Sequence, residues 1–243
     1  MKALEKLLKN HKNIIFLDLE GTQFSHEIIA IGAIKCQIDE KGMIIEKNKC
    51  ETIRLFVKSL GQIGKVVQNM THIDEEILKN EGIPLEEAFD KFNNFINLPL
   101  DECSFIVFGS NDCKMILDSI TYSKPNNEEI GFSIVKNSID FLMFISQYVK
   151  DDNGNNYSLV NYLKVFGVEP YGISHDPLND SIDLMNLYDA VNTKKEILLK
   201  EYLKVLQKQR IFPQPVKDAI NRLCSGENLT SDDFISDCKS YLE

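Results

Sequence analysis

Two carboxylates end the first apolar segment of the chain. Asp18 and Glu20 follow the block Ile14–Leu17, which predicts a buried strand over Asn13–Leu19. In a strand, residues i and i+2 point to the same face, so both carboxylates should lie side by side. Their mutual repulsion is relieved if a cation sits between them. The alternative is that the strand simply ends here and its acids are solvated.

A third acid follows a later strand. Ser104–Phe108 is short and largely apolar, which is typical of a strand buried on both faces, and Asp112 comes four residues after it. Asp112 then lies in the first turn of a helix at the carboxyl edge of a sheet, where functional sites tend to form. The alternative is an ordinary helix-start acid that complements the helix dipole.

The third pattern combines a histidine and an acid. His175 lies in a loop, Asp176-Pro177 opens a helix with Asp as N-cap and Pro in the first turn, and Asp180 projects from that turn. A fixed carboxylate and a mobile imidazole then face one point, which suits a general base in hydrolysis. The alternative is a loop histidine beside a helix cap.

The elements that must position these residues predict an α/β protein. Three consecutive strands suggest an antiparallel meander, and strand–helix alternation follows, which together predict a mixed five-stranded sheet flanked by helices. Residues 1–192 form the predicted main domain, and 193–243, which are charged and amphipathic, a C-terminal helical extension. The predicted strands are Asn13–Leu19, Glu27–Ile38, Glu51–Lys58, Ser104–Phe108 and Ser133–Ile139.

Composition narrows the class of protein. Apolar residues make up 43% of the 243-residue chain, enough for a sizeable core. No apolar run is long enough to span a bilayer, and the N-terminus lacks a signal-peptide pattern, so we expect a cytoplasmic protein. The net charge of −10 argues against holding duplex DNA by broad phosphate neutralisation. It is compatible with a nuclease whose metal ions supply positive charge.

The order and combination of the three patterns resemble the DEDDh exonucleases, a family with a ribonuclease H-like fold. Asp18-Leu19-Glu20 matches the first motif, Asp112 the second, and His175 with Asp180 the third. The resemblance covers most of residues 13–192. Within the family, the chain looks most similar to the histone-mRNA 3′-exonuclease branch and its sporulation-inhibitor-like relatives.

The branch assignment depends on two segments, Phe56-Val57-Lys58 and Thr71-His72-Ile73, and the sequence also departs from the family at three places. His72 replaces a usual glycine. Pro177-Leu178 stands where a small residue is common, and Ser181 follows Asp180 where alanine is typical. None of these departures removes one of the five matched residues.

The resemblance implies a metal-dependent 3′→5′ exonuclease that releases nucleoside monophosphates from the 3′ end of single-stranded RNA or DNA, with RNA placed first. Two Mg²⁺ or Mn²⁺ ions would be held by carboxylates, and His175 would take the proton from the attacking water. By resemblance, Asp18 would bind both ions, Glu20 and Asp180 would complete one site, and Asp112 would hold the other ion. The candidate metal ligands are Asp18, Glu20, Asp112 and Asp180.

The sequence also offers candidate substrate contacts and leaves alternative functions open. The candidate substrate contacts are Gly21, Thr22, Met70 and Ile73, with core packing as the alternative for the apolar pair. The rival functions are a DNA exonuclease, an oligoribonuclease, and a catalytically silent interaction module of the same fold. The C-terminal helices are a candidate surface for a protein contact or a dimer.

Overall fold

The computed structural model describes residues 1–242, which contain six strands and twelve α-helices. The strands are β1 (Asn13–Gly21), β2 (Ile28–Ile38), β3 (Ile44–Ile45), β4 (Glu51–Phe56), β5 (Cys103–Val107) and β6 (Ser138–Asp140). The helices are α1 (Lys2–Leu7), α2 (Lys65–Thr71), α3 (Glu75–Glu81), α4 (Leu85–Ile96), α5 (Asn111–Ser123), α6 (Glu128–Lys136), α7 (Phe141–Ile145), α8 (Leu159–Val165), α9 (Pro177–Thr193), α10 (Lys195–Lys208), α11 (Gln214–Cys224) and α12 (Ser231–Leu242).

All six strands form one mixed sheet. The β1, β2 and β4 strands pair antiparallel, as the predicted meander requires, whereas β1–β5 and β5–β6 are parallel. The two-residue strand β3 adds to the end of β2 and brings the count to six instead of five. The predicted fold class, a mixed sheet flanked by helices, is therefore confirmed.

The two faces of the sheet are covered differently. Leu17 and Leu19 of β1 point into the large apolar core, which contains α4, α5 and α6. Phe16 points the other way and packs against Tyr188 of α9, with ring centroids 5.3 Å apart. Because side chains alternate along a strand, Asp18 shares the α9 face with Phe16.

Helix α9 approaches the sheet closely at Gly32. A methyl group built on Gly32 would lie 2.0 Å from the carbonyl carbon of Pro177 and 2.2 Å from the nitrogen of Leu178. Both atoms belong to backbone, so they cannot rotate out of the way. Gly32 is also the direct strand partner of Asp18 on one side and of Arg54 on the other. Glycine here lets the first turn of α9 rest on the sheet next to Asp18.

The chain divides into two compact units. One contains residues 1–144 and 158–193, and the other contains 145–157 and 194–243. In the second unit Tyr148 packs on Tyr202 with ring centroids 5.2 Å apart, and Lys208 forms an ion pair with Asp152 at 3.0 Å. The segment 145–157 is thus grouped with the predicted helical extension. None of the described helices combines the length and apolar character needed to cross a membrane.

One local prediction was wrong, and one helix was not predicted. The predicted strand Ser133–Ile139 is mostly helix α6, because Ile130 and Ile134 are spaced to bury one helical face; only residues 138–140 are extended. Helix α2 was not predicted at all. The next helix, α3, is capped by Asp74, whose carboxylate accepts the Ile77 amide hydrogen at 2.9 Å.

Gly32→Ala tests the close approach of α9. We expect a loss of about 3 kcal/mol or more in the free energy of unfolding, measured by urea denaturation, because the added methyl group meets backbone. Gly167→Ala is the control, since Gly167 has a positive φ of 60° but no atom within 4 Å of the added carbon. That variant should lose about 1 kcal/mol from backbone strain alone. Equal losses in the two variants would contradict the steric account.

Candidate active site

Asp18 and Glu20 lie on the same face of β1, two residues apart. Asp18 pairs with Gly32, and Glu20 pairs with Ala30, so a small residue stands beside each carboxylate. The strand register then shifts between Glu20 and Gly21. The predicted side-by-side placement of the two acids on one face follows from this register.

Asp112 is attached to β1 by a hydrogen bond. The β1–β5 pairing ends at Phe16 and Ile106, so the Leu19 amide has no partner from β5. The Asp112 carboxylate fills this gap by accepting the Leu19 N–H at 2.9 Å. Asp112 is 5% exposed, in the first turn of α5. Leu19 lies between Asp18 and Glu20 on β1, so this hydrogen bond places Asp112 beside these two acids.

The His175 loop is tied to α9. The His175 backbone, at a φ of 66°, donates its N–H to Asp180 at 3.0 Å, and the Tyr171 N–H is donated to Asp183 at 2.7 Å. The side-chain amide of Asn179 donates to the Ile173 carbonyl at 3.1 Å. The His175 side chain itself remains exposed.

These elements bring the sequence-predicted residues together. One ligand atom from each of Glu20, His175 and Asp180 lies within 4.8 Å of the others, a group that could hold a metal ion. Asp18 and Asp112 are not in this group: Asp18 lies two residues before Glu20 on the same face of β1, and Asp112 binds the N–H of Leu19 between these two acids. The five residues therefore lie around the end of β1, and Glu20, His175 and Asp180 are close enough to share one ion.

Burial and like charges raise the pKa values of the cluster. Burial, followed by Asp180 and Asp112, raises the pKa of Glu20 to about 8. Burial raises the pKa of Asp112 to about 7, although the hydrogen bond from Leu19 opposes the shift. Burial, then the charges of Asp112, Asp180 and Glu20, raise the pKa of Asp18 well above its usual range. Burial also raises that of Asp180, against the opposing contact with His175.

Four further polar residues support the site, and sequence patterns did not identify them as site residues. Asp183 fixes the start of the His175 loop, and its pKa is raised to about 6 by burial. Asp140 accepts the Gly109 N–H at 3.1 Å and raises the pKa of Asp112. Asp176 caps α9 and forms an ion pair with Arg54 at 2.9 Å. Of these four residues, only Asp176 had a role predicted from the sequence, as the N-cap of α9.

The candidate substrate contacts differ in accessibility. Met70 is 44% exposed, but Ile73 is only 2% exposed and packs in a core cluster with Ile63 and Leu78. Ile73 therefore presents no surface to a base in this structure, and the alternative of core packing describes it. Thr22 is only 1% exposed, and its hydroxyl contacts Ser25 at 2.7 Å and accepts the Glu27 N–H at 3.0 Å, so its side chain is not accessible to a nucleotide either.

The end of β1 and the turn that follows it contain a closely packed glycine, Gly21, and an exposed aromatic side chain, Phe24. A methyl group on Gly21 would lie 2.6 Å from the sulfur of Met115. Phe24, which the sequence patterns did not single out, is 74% exposed four residues after Glu20. The turn after β1 thus combines tight packing at its start with one exposed aromatic side chain.

The departures from the family pattern have local structural explanations. His72 ends α2 with a φ of 58°, a left-handed conformation that glycine adopts more readily. The Ser181 hydroxyl is buried and donates to the Leu178 carbonyl at 2.8 Å, which satisfies it within α9. Pro177 is the first residue of α9, where its missing N–H is not needed.

Comparisons with known proteins identify the family and the fold. A model of the exonuclease family, RNase_T, matches residues 15–188. The nuclease domain of 3′hExo, a DEDDh family member bound to rAMP, is similar with a TM-score of 0.61 and 16% identity, covering 78% of this chain and 96% of that one. No curated protein sequence matches the chain.

Two other solved structures show the same likeness. A 3′-exonuclease recognising the 3′ end of a histone mRNA stem-loop has a TM-score of 0.57 and 18% identity, over 82% of this chain and 70% of that one. E. coli exonuclease I in complex with a dA16 oligonucleotide has a TM-score of 0.57 and 15% identity, over 81% of this chain and 44% of that one. At these identities the likeness shows the fold, which is the predicted ribonuclease H-like one.

The raised pKa values predict that the metal-free protein loses stability as pH rises. The ordinary values are 3.8 for Asp and 4.5 for Glu, whereas Glu20 titrates at about 8 and Asp112 at about 7 in the folded chain. Between about pH 4 and 8 the folded state therefore holds protons that the unfolded state releases, so unfolding becomes easier with rising pH. Urea unfolding in EDTA at pH 5 and pH 8.5 measures this loss.

Glu20→Gln provides the matched variant for the pH prediction. Without the Glu20 charge, the metal-free variant should be more stable than wild type at pH 8.5 and nearly equal at pH 5. Excess Mn²⁺ should remove much of the wild-type pH dependence, because the carboxylates then bind cations. A wild-type stability that rises between pH 5 and 8.5 in EDTA would contradict the electrostatic account.

Proposed function

Because the chain belongs to the RNase_T exonuclease family, we propose that it is a metal-dependent 3′→5′ exonuclease that releases nucleoside monophosphates from single-stranded nucleic acid. The observation that supports the proposal is that ligand atoms of Glu20, His175 and Asp180 lie within 4.8 Å of one another, with Asp18 and Asp112 placed beside Glu20 at the end of β1. Four of these residues are carboxylates and the fifth is an exposed imidazole, a set suited to cation-assisted phosphodiester hydrolysis.

The donor set fits divalent cations. The charged neighbours that raise the pKa of Asp18, namely Asp112, Asp180, Glu20 and Asp176, are all acidic. Oxygen donors crowded in this way favour hard cations, and we propose two Mg²⁺ or Mn²⁺ ions. When bound, the ions would neutralise the scissile phosphate and promote attack by water. Asp18, Glu20, Asp112 and Asp180 would hold them.

His175 is the proposed general base. Its side chain is exposed, and a ring nitrogen lies within 4.8 Å of oxygen atoms of Glu20 and Asp180. The backbone hydrogen bond to Asp180 fixes the main chain and leaves the ring able to rotate. An imidazole placed in this way can take a proton from the attacking water and release it to solvent.

RNA is placed ahead of DNA as the substrate. The chain spans 96% of the 3′hExo nuclease domain, which is bound to rAMP, but 44% of E. coli exonuclease I, which is bound to a DNA oligonucleotide. The net charge of −10 fits a single-stranded 3′ end better than a duplex, since the protein lacks the excess of basic residues that duplex binding uses. Met70, Gly21 and the exposed ring of Phe24 are the proposed contacts with the terminal nucleotides.

The alternatives differ in substrate or in the loss of catalysis. An oligoribonuclease or a DNA exonuclease would use the same five residues, so only the substrate separates them. A silent interaction module would be expected to lack one of the five, and all five are present in the sequence.

The remaining assignments are also proposals. We assign catalysis to residues 1–192 and place the protein in the histone-mRNA 3′-exonuclease and sporulation-inhibitor-like branch, in the cytoplasm. Residues 193–243 would form a helical extension for a protein contact or a dimer. Leu199, Ile211 and Leu223 in that extension are each more than half exposed.

A substrate panel tests the proposed reaction. We expect mononucleotides from 3′-labelled single-stranded RNA with Mn²⁺ or Mg²⁺, less from DNA and from a dinucleotide, and none with EDTA. A 5′-labelled RNA should give a ladder that shortens from the 3′ end, which tests the polarity. If no substrate releases mononucleotide with either cation, the enzyme assignment is wrong.

Two variants separate metal binding from proton transfer. His175→Ala should retain Mn²⁺ binding and lose about 100-fold or more in kcat, the usual contribution of a general base. Asp18→Asn should abolish hydrolysis and weaken Mn²⁺ binding. His11→Gln is the control, because His11 contacts Ser104 at the opposite end of β1. Near wild-type turnover in His175→Ala would refute the role of the base.

A further inference from the structure

Arg54 is not one of the five site residues, yet it lies beside them. It stands in β4 opposite Gly32, which in turn stands opposite Asp18. Directly paired residues project to the same face of a sheet, so Arg54 shares the α9 face with Asp18. Its guanidinium extends past Gly32 to Asp176 at the N-terminus of α9.

The Arg54 side chain is held from two sides. Its guanidinium carbon lies 4.9 Å from the centroid of the Phe56 ring, and one of its nitrogens lies 2.9 Å from Oδ2 of Asp176. A planar guanidinium can stack on a ring and pair with a carboxylate at the same time. Arg54 is therefore oriented before any substrate arrives.

The partner of Arg54 is the residue next to the proposed base. Asp176 uses Oδ1 to accept the N–H groups of Leu178 and Asn179, at 3.1 and 3.2 Å, and so caps α9. Its other oxygen, Oδ2, is the one that contacts Arg54. Because Asp176 directly follows His175 in the chain, the position of Asp176 constrains the backbone of His175.

The other hydrogen bonds of this loop come from α9 itself. Asp180, Asp183 and Asn179 all hold loop atoms, and all three lie in the helix that the loop leads into. They fix the loop to α9 but do not fix it to the sheet that carries Asp18 and Glu20. Arg54 supplies a direct link from the sheet to the loop residue beside His175.

We propose that Arg54 is a positioning residue: through its ion pair with Asp176, it holds the His175 loop in register with the carboxylates of β1. The inference rests on the proposed exonuclease function. Arg54 acts on the loop and not on the reacting atoms.

Arg54→Met tests the proposal. An exposed ion pair is worth up to about 1 kcal/mol, so we expect kcat to fall about fivefold at saturating Mn²⁺, with KM within about twofold of wild type. Arg54→Lys should recover part of the loss, since it keeps the charge but cannot stack flat on Phe56. Asp176→Asn keeps a side-chain oxygen for the helix cap but loses the charge, and should resemble Arg54→Met.

The matched control is Lys47→Met. Lys47 forms an ion pair with Asp189 of α9 at 3.3 Å, and its side-chain exposure of 45% is close to the 41% of Arg54. That pair lies toward the other end of α9, so kcat should not change. The double variant Arg54→Met/Asp176→Asn should lose no more than either single variant, because both remove one interaction.

Hydrogen exchange gives a readout that does not depend on activity. In EDTA, the amides of residues 171–176 should exchange faster in Arg54→Met than in wild type or Lys47→Met, while β1 should be unchanged. If Arg54 instead bound substrate phosphate, its loss would raise KM, spare kcat and leave loop exchange unchanged, and the proposal would be wrong. Inactive wild type would reject the exonuclease function, whereas an active wild type with unaffected Arg54 variants would reject only this inference.

Discussion

The close contact between Gly32 and the first turn of α9 determines the geometry of the site. Asp18 and Glu20 belong to the sheet, whereas His175 and Asp180 belong to α9 and the loop before it. A side chain at position 32 would meet the backbone of Pro177 and Leu178. Its absence lets the helix rest on the strand next to Asp18, so the two halves of the site meet there. The Arg54–Asp176 ion pair then lies across the same glycine.

This contact has an electrostatic cost that the apolar parts of the fold must offset. It brings four carboxylates into a partly buried region, where desolvation and mutual repulsion raise the pKa values of all four. The apolar core on the other face of the sheet and the Phe16–Tyr188 contact with α9 hold the elements in place despite this repulsion. A cation bound between the carboxylates would remove the repulsion, so strain in the metal-free protein and affinity for metal have the same origin.

The sequence predicted the parts of the site that depend on local periodicity. Strand alternation placed Asp18 and Glu20 on one face, and the Asp-Pro start of α9 placed His175 and Asp180 at one helix end. Long-range contacts left no such pattern: Gly32 is one small residue in an apolar strand, and nothing local shows that Arg54 faces Asp176. Helix α6 was missed because the adjacent β-branched residues Ile134 and Val135 favoured a strand, while burial of Ile130 and Ile134 on one helical face prevailed. Ile73 was a candidate for substrate contact because apolarity alone does not distinguish a base contact from core packing.

Calorimetric titration of the metal-free protein with Mn²⁺ near pH 7, in buffers of different ionisation enthalpy, tests the central claim most directly. The claim is that the packing of α9 on the sheet crowds the carboxylates so closely that some of them hold protons, and that bound cations displace these protons. Glu20, with a pKa of about 8, and Asp112, with a pKa of about 7, are then partly protonated before binding. The account predicts two Mn²⁺ ions per chain with net release of about one proton or more. Absence of binding, or binding without proton release, would contradict it.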